Sequence, residues 1–309
     1  MSEQAPHTGD TPLYPIREVS RITGVNSVTL RAWERRYGLI KPQRTPKGHR
    51  LYAREDIARV EQILQWLNRG VPVSQVRELL DRPTPMEPQP PDTSDWSSQR
   101  TQLMTAVAAL DQHRLDMLFS QSLSLYPVSV CIAELWQPVI QALEEGWGER
   151  LGDTLQRRFL EAFLRTRIGT RLLHANRVVQ GPALLISAMP EDPGSLWVLL
   201  VALAASDKGF EVQLFDAPLP FSELPLAVEH LHAGALLLAS GQAEKSDLVR
   251  RQLPRLAEQL DVPLALCGPV ARIRASELTG SQVEVLGDDL GQAMVRLKAL
   301  LPQGSATSR

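Results

Sequence analysis

Between Val28 and Tyr52 the chain reads VTLRAWERRYGLIKPQRTPKGHRLY, and most of its interpretable chemistry lies there. Arg31, Arg35 and Arg36 share one helical pattern with Trp33 and Tyr37 interleaved, while Arg44, Lys47, His49 and Arg50 follow on an extended, glycine-containing loop. Two cationic elements this close suit a negatively charged polymer, one entering a groove while the other straddles the adjacent phosphates. The chain has no G-x-G-x-x-G and no P-loop. His230 and His232 diverge on a helix end, His113 and His174 stand alone, and Asp207 and Asp216 have no evident nucleophilic or basic partner. No catalytic set and no metal site is assigned, and the chain is read as a non-enzyme.

Charge supports the same division. From Leu13 to Leu80 thirteen Lys or Arg face six acids, a charge of +7. The whole chain carries −2, so the remainder carries −9. A basic head on an acidic body favours a polyanion partner for the head alone.

The elements that must position these cations are short. Ile16, Val19 and Ile22 keep helical spacing, Gly24 suits a tight corner, and Asn26 or Ser27 caps a second helix, Ser27 to Arg36. On that helix Val28 and Leu30 are expected to anchor, leaving Thr29, Arg31, Arg35 and Arg36 outward. Trp33 and Tyr37 are read as packing ahead of DNA contact. Such a helix-turn-helix places its second helix in a major groove. Gln43 to Ala53 is expected to form a wing turning near Pro46-Lys47-Gly48. A helix from Arg54 to about Asn68, stopped by Gly70, and another from Val73 to Leu80 complete a module over 13–81.

The colinear run IREVSRITGVNSVTLRAWERRYGLIKPQRTPKGHRLYAREDIARV resembles the MerR family of transcription regulators, and its RAWERRYGLIKPQRTPKGHRLY variant is similar to the MlrA/CarH/LitR-like branch. The resemblance implies that Thr29, Arg31 and Arg35 approach bases or phosphates, and that Arg44, His49, Arg50 and Tyr52 grip the backbone through the wing. It also implies a dimer on an inverted repeat in a deformable promoter.

Residues 82–97, with five prolines between Arg82 and Asp92, read as a tether with no heptad run. Four helical patterns over 98–176 (about Gln99–Leu110, Arg114–Leu125, Val128–Glu145 and Leu155–Ala175) predict an up-and-down bundle. Arg157, Arg158, Arg165, Arg167 and Arg171 could bind an anion there; a solvated face with a Glu161–Arg165 pair is the plainer reading. Over 177–303, strands near Ala183–Ala188, Glu211–Phe215, Ala235–Ala239, Pro263–Cys267 and Val283–Leu286 alternate with helices. That alternation predicts a flavodoxin-like, Rossmann-type five-stranded parallel sheet of order 2-1-3-4-5, in a multidomain α and α/β chain. The ligand cleft of such a sheet lies at the strand ends, here Glu191, Asp192, Ser195, Ser240, Gly241 and Gly268.

Bundle plus sheet resembles a cobalamin-binding pair, whose first strand-end loop carries Asp/Glu-x-His-x-x-Gly with the His on cobalt. Here the loop reads Met189-Pro190-Glu191-Asp192-Pro193-Gly194-Ser195, with Pro193 or Gly194 where that His would stand. The Glu-His of the light-sensing relatives' bundle, counted from Trp147, falls on Arg157-Arg158, and their GG turn reads Cys267-Gly268-Pro269. Without an imidazole to give to cobalt, no cobalamin and no other cofactor is expected.

The sequence therefore reads as a DNA-binding regulator acting as a homodimer or tetramer. Its partners are expected to be double-stranded promoter DNA and RNA polymerase, and its body a degenerate cobalamin-binding-like domain. A sensor of cobalamin, another small molecule or a nucleotide in the strand-end cleft, and control by a protein docking on the body, stay open as alternatives. No apolar run spans a membrane, MSEQAPHTGDTP has no signal-peptide pattern, and the two cysteines, Cys131 and Cys267, sit in apolar stretches that fit a reducing cytoplasm. A nucleoid-associated, cytoplasmic protein is expected.

Overall fold

The computed structural model describes residues 13–68, 71–80, 94–179, 182–192 and 194–301. They fall into two compact units. One runs up to Gln99 and includes Asp116–Val130; the other comprises Arg100–Leu115 and the chain from Cys131 onward. The division passes through the residues expected to form one bundle. Gly70, most of the expected tether and the first twelve residues lie outside the described residues, as does Pro193.

In the first unit β1 (Tyr14–Pro15) leads into α1 (Ile16–Thr23). Gly24 closes it with φ 72°, a backbone that costs glycine little, and its N–H returns to the Ser20 carbonyl. Helix α2 (Ser27–Ala32) starts from Asn26, whose side chain accepts from the Val28 N–H, and runs on into a wider π-type turn, Trp33–Tyr37, ended by Gly38. Strands β2 (Gln43–Arg44) and β3 (Arg50–Tyr52) form the wing, with β3 between β1 and β2 in an antiparallel sheet. The tip turns where expected: the Gly48 N–H donates to the Thr45 carbonyl and the Thr45 N–H to the His49 carbonyl, at 2.8 and 2.9 Å. Helices α3 (Arg54–Asn68) and α4 (Val73–Leu80) follow.

Helix α5 (Ser94–Ala108) begins within the stretch read as linker, because Trp96 is buried and its ring lies 4.6 Å from that of Tyr126. Helix α6 spans Gln112–Leu125. The third expected helix is α7 (Val128–Cys131) and α8 (Gln137–Gly146) joined by a π-type turn, Ile132–Trp136, and α9 is Asp153–Asn176.

In the second unit β4 (Ala183–Ala188), β5 (Val212–Phe215), β6 (Ala233–Ala239), β7 (Leu264–Cys267) and β8 (Val283–Gly287) form one sheet of order β5-β4-β6-β7-β8, parallel throughout. This is the doubly wound sheet expected. All six residues of β4 are buried, as a central strand covered on both faces requires. Helix α10 (Leu196–Asp207) is buried over eleven of its residues and packs on α9, so it is apolar all round rather than striped. Helices α11 (Leu224–His230), α12 (Leu253–Glu258), α13 (Pro269–Ile273) and α14 (Leu290–Leu300) complete the layers. No helix among the described residues is long and apolar enough to cross a membrane.

Candidate nucleic-acid interface and strand-end cleft

Helix α2 is rotated from the expected facing. Val28 is half exposed, whereas Thr29 is buried beside Leu30. Thr29 thus belongs to the inward face and cannot present its hydroxyl with the arginines. Arg31, Arg35 and Arg36 are exposed and remain together on the helix and its π-type turn. Trp33 is fully buried, consistent with packing, and its indole N–H donates to the Leu125 carbonyl at 2.8 Å.

On the wing, Arg44, Lys47 and His49 are exposed. Tyr52 is not available to grip a phosphate. Its ring is fully buried, its hydroxyl has no hydrogen-bond partner, and burial, with the Glu34 charge adding to it, pushes the phenol up to about 12. Two residues after Arg50, Tyr52 shares its face of β3, and that face is the inward one, under the cover of α1 and α3.

Glu34 was not singled out from the sequence, yet it organises the cations around it. One carboxylate oxygen accepts from an Arg44 terminal nitrogen at 2.7 Å; the other pairs with the Arg50 Nε. Arg44 and Arg50 face each other across the β2–β3 pair, so one acid on the helix holds both wing strands. Burial opposes its charge, but the hydrogen bonds from Arg50 and Arg44 together outweigh it and hold the carboxyl below its usual range. An acid standing alone between Trp33 and two arginines was the available signal. Arg59 adds a further tie, donating to the Leu39 carbonyl at 2.5 Å ahead of the wing.

In the second unit a cleft of about 850 Å³ is lined by residues of α8, its preceding turn and the strand-end loops, among them Gln137, Gln141, Glu144, Arg157, Trp197, Gly241, Arg272 and Asp288. Of the six residues expected there, Gly241 lines it. Asp192 is buried behind it, accepting from the Gly194 and Gly241 N–H groups at 2.9 and 3.0 Å. Ser195 is buried, its N–H donating to Glu161 and its hydroxyl accepting from Arg165. Ser240 donates to Glu244 at 2.6 Å, and Glu191 is spent on Lys245 at 2.8 Å. Gly268, at φ 88°, sits so close to the Ser240 carbonyl that a Cβ would lie 2.8 Å from it.

Trp197 is the residue that sequence reading passed over. Its indole N–H donates to Glu144 at 2.9 Å, and it lies on Gly241 so closely that a Cβ there would collide with the ring. Burial pushes the Glu144 carboxyl up, against the lowering effect of Trp197 and Arg157. The arginines of α9 are partly solvated, with Arg158 and Arg165 exposed, and three of them are paired: Arg158 with the buried Glu161, Arg165 with Asp216, and Arg171 with Asp207 at 3.7 Å. The expected Glu161–Arg165 pair does not form. Arg157 instead stacks 5.3 Å over the Trp147 ring.

The strand-end loops carry no histidine or cysteine beyond Cys267, which is fully buried and whose thiol burial pushes upward. Gly194 is enclosed by Arg157, Asp192 and Glu161. These residues do not fit a corrinoid that takes an imidazole from the protein. His230 and His232 are exposed, and no acid, histidine or cysteine cluster among the described residues could hold a metal.

Similarity to known proteins extends over most of the chain. Residues 14–83 match the family described as MerR HTH family regulatory protein. The HTH-type transcriptional regulator MlrA of Escherichia coli (strain K12) is 31% identical over 80% of this chain and 96% of its own length. The HTH-type transcriptional repressor CarH of Myxococcus xanthus is 27% identical over 84% of this chain and 90% of its own. A solved structure of the Methanosarcina barkeri monomethylamine corrinoid protein aligns at 13% identity and a TM-score of 0.49, covering 66% of this chain and 99% of that one. The winged module with its outward arginines, joined to a body that runs alongside whole regulators, gives the conclusion: this chain belongs to the MerR family of helix-turn-helix transcription regulators.

Proposed function

We propose that this regulator binds promoter DNA through Arg31, Arg35 and Arg36 on the helix and Arg44, Lys47 and His49 on the wing, with Arg50 anchoring the wing from beneath, as a dimer or higher oligomer. The observation carrying this reading is the joint exposure of Arg31, Arg35, Lys47 and His49 on adjoining elements of a module with a charge of +7. Thr29 and Tyr52 support that surface from beneath. RNA polymerase is the partner that a promoter-bound regulator meets, and the reading places the protein in the cytoplasm, on the nucleoid. Selection of duplexes from a random-sequence pool by the purified full chain tests it: an enriched inverted repeat is expected, and no enrichment by folded protein rejects it.

The body is proposed to work without a corrinoid, for self-association. What supports the absence of a corrinoid is the donor set at the strand ends, where Gly194 stands among Asp192, Glu161 and Arg157 and the Trp197 ring covers Gly241. Titration with adenosylcobalamin in the dark is expected to leave the corrinoid spectrum unchanged and the protein's melting temperature unmoved; a shift in either rejects it. A sensor role is the second reading, favoured by the cleft of about 850 Å³ that remains beside Trp197. A metabolite panel read by thermal shift tests that role.

A further inference from the structure

A residue of negative charge at the centre of a polyanion-binding surface needs a reason. Glu34 lies between the outward arginines of the helix, where its charge alone repels phosphate. Its carboxylate is largely buried, and it is spent on two partners that belong to the other half of the surface, Arg44 on β2 and Arg50 on β3. Those strands are short, two and three residues, so their own ladder fixes the wing weakly. A carboxylate holding both strands at once defines both the angle and the distance between wing and helix.

Resting on the DNA-binding reading above, we propose that Glu34 is a positioning residue for sequence recognition: by holding Arg44 and Arg50 together it sets the wing against the recognition helix, so that both meet one duplex in a single register. The two arginines divide the work. Arg50 is mostly buried and serves as the anchor, whereas Arg44 is half exposed and keeps donors free toward solvent. Glu34 touches no DNA itself. It acts by removing alternative wing positions, which matters for a specific site and little for a scrambled one.

This reading predicts the opposite sign from simple charge. Removing an acid from a cationic surface should tighten binding to any duplex; removing a positioning residue should loosen binding to the preferred duplex only. The test uses the full chain, with a duplex enriched by the wild-type protein from a random pool as the specific probe and a scrambled duplex of equal composition as control. For E34Q the specific affinity is expected to fall about tenfold or more, the scale of hydrogen bonds to charged groups, with control binding unchanged or tighter. E34D, which keeps the charge but loses reach to both strands, is expected to fall in the same direction and serves if E34Q does not fold. Equal tightening on both probes would overturn the proposal and leave Glu34 a charge brake. A third arm needs no DNA: hydrogen exchange at the wing amides of Thr45 and Gly48 should quicken several-fold in either variant. If wild-type protein enriches no duplex, the DNA-binding reading fails by itself, and unchanged wing exchange would still separately refute the clamp.

Discussion

The indole N–H of Trp33 donates to the backbone carbonyl of Leu125 at 2.8 Å, joining the recognition helix to the last residue of α6. The last carbonyls of a helix have no intrahelical donor, so a buried one requires a partner from elsewhere. Trp33→Phe keeps an aromatic ring but removes the donor and is expected to cost about 1–3 kcal/mol of the first unit's stability. Denaturant unfolding of the full chain measures this; an unchanged midpoint would mean that the bond contributes nothing.

Tyr52 offers the reverse case. Its buried hydroxyl has no partner, so Tyr52→Phe removes an uncompensated polar group and is expected to be neutral or to stabilise by about 1 kcal/mol. Affinity for the enriched duplex should not change. A clear loss of binding in Y52F would restore this residue to the phosphate-gripping set.

Binding should be strongly dependent on salt. If a dimer neutralises about 6–10 phosphates, affinity falls roughly 10³–10⁵-fold between about 50 and 200 mM salt. Arg31→Ala or Lys47→Ala in each protomer should flatten the log–log slope by about one for every phosphate no longer neutralised. Slopes indistinguishable from wild type would take both residues off the DNA.

Two carboxylates should give opposite pH dependence. Glu34 is held below its usual 4.5, so it binds fewer protons folded than unfolded. Its contribution is complete above 4.5 and is lost as pH falls through the lowered value. Glu144 is raised above 4.5 by burial, so its contribution is present at low pH and is lost as pH rises from 4.5 through the raised value. Unfolding of the full chain across acid pH should show E34Q removing the first slope and E144Q the second. Identical profiles for wild type and both variants would contradict the assigned shifts.

Gly241→Ala probes the packing of Trp197. The added Cβ would collide with the indole, so the ring must move and its bond to Glu144 must lengthen or break. A destabilisation of about 1–3 kcal/mol is expected, as for other overpacked sites. Trp197→Phe combined with Gly241→Ala tests the cause, since the smaller ring should recover part of that stability.

Local signals in the sequence determined much of this protein. Asn26, Gly24 and Gly48 announce a cap and two turns; the buried run Ala183–Ala188 and its repeats announce a parallel sheet, and the exposure of Arg31, Arg35 and Lys47 follows from charge. These features depend on neighbours within a few residues, which one chain displays directly. What tertiary structure alone decided was which side of α2 and β3 turns inward. Thr29 and Tyr52 went to the core while Val28 stayed out, because packing against α1 and α3 rather than residue polarity fixes a short element's rotation. The pairs Glu34–Arg44, Glu34–Arg50, Glu144–Trp197 and Arg165–Asp216 were equally hidden, since each joins groups 10 to 53 positions apart. A carboxylate chooses its partner by distance in space, and periodicity along the chain does not carry that distance.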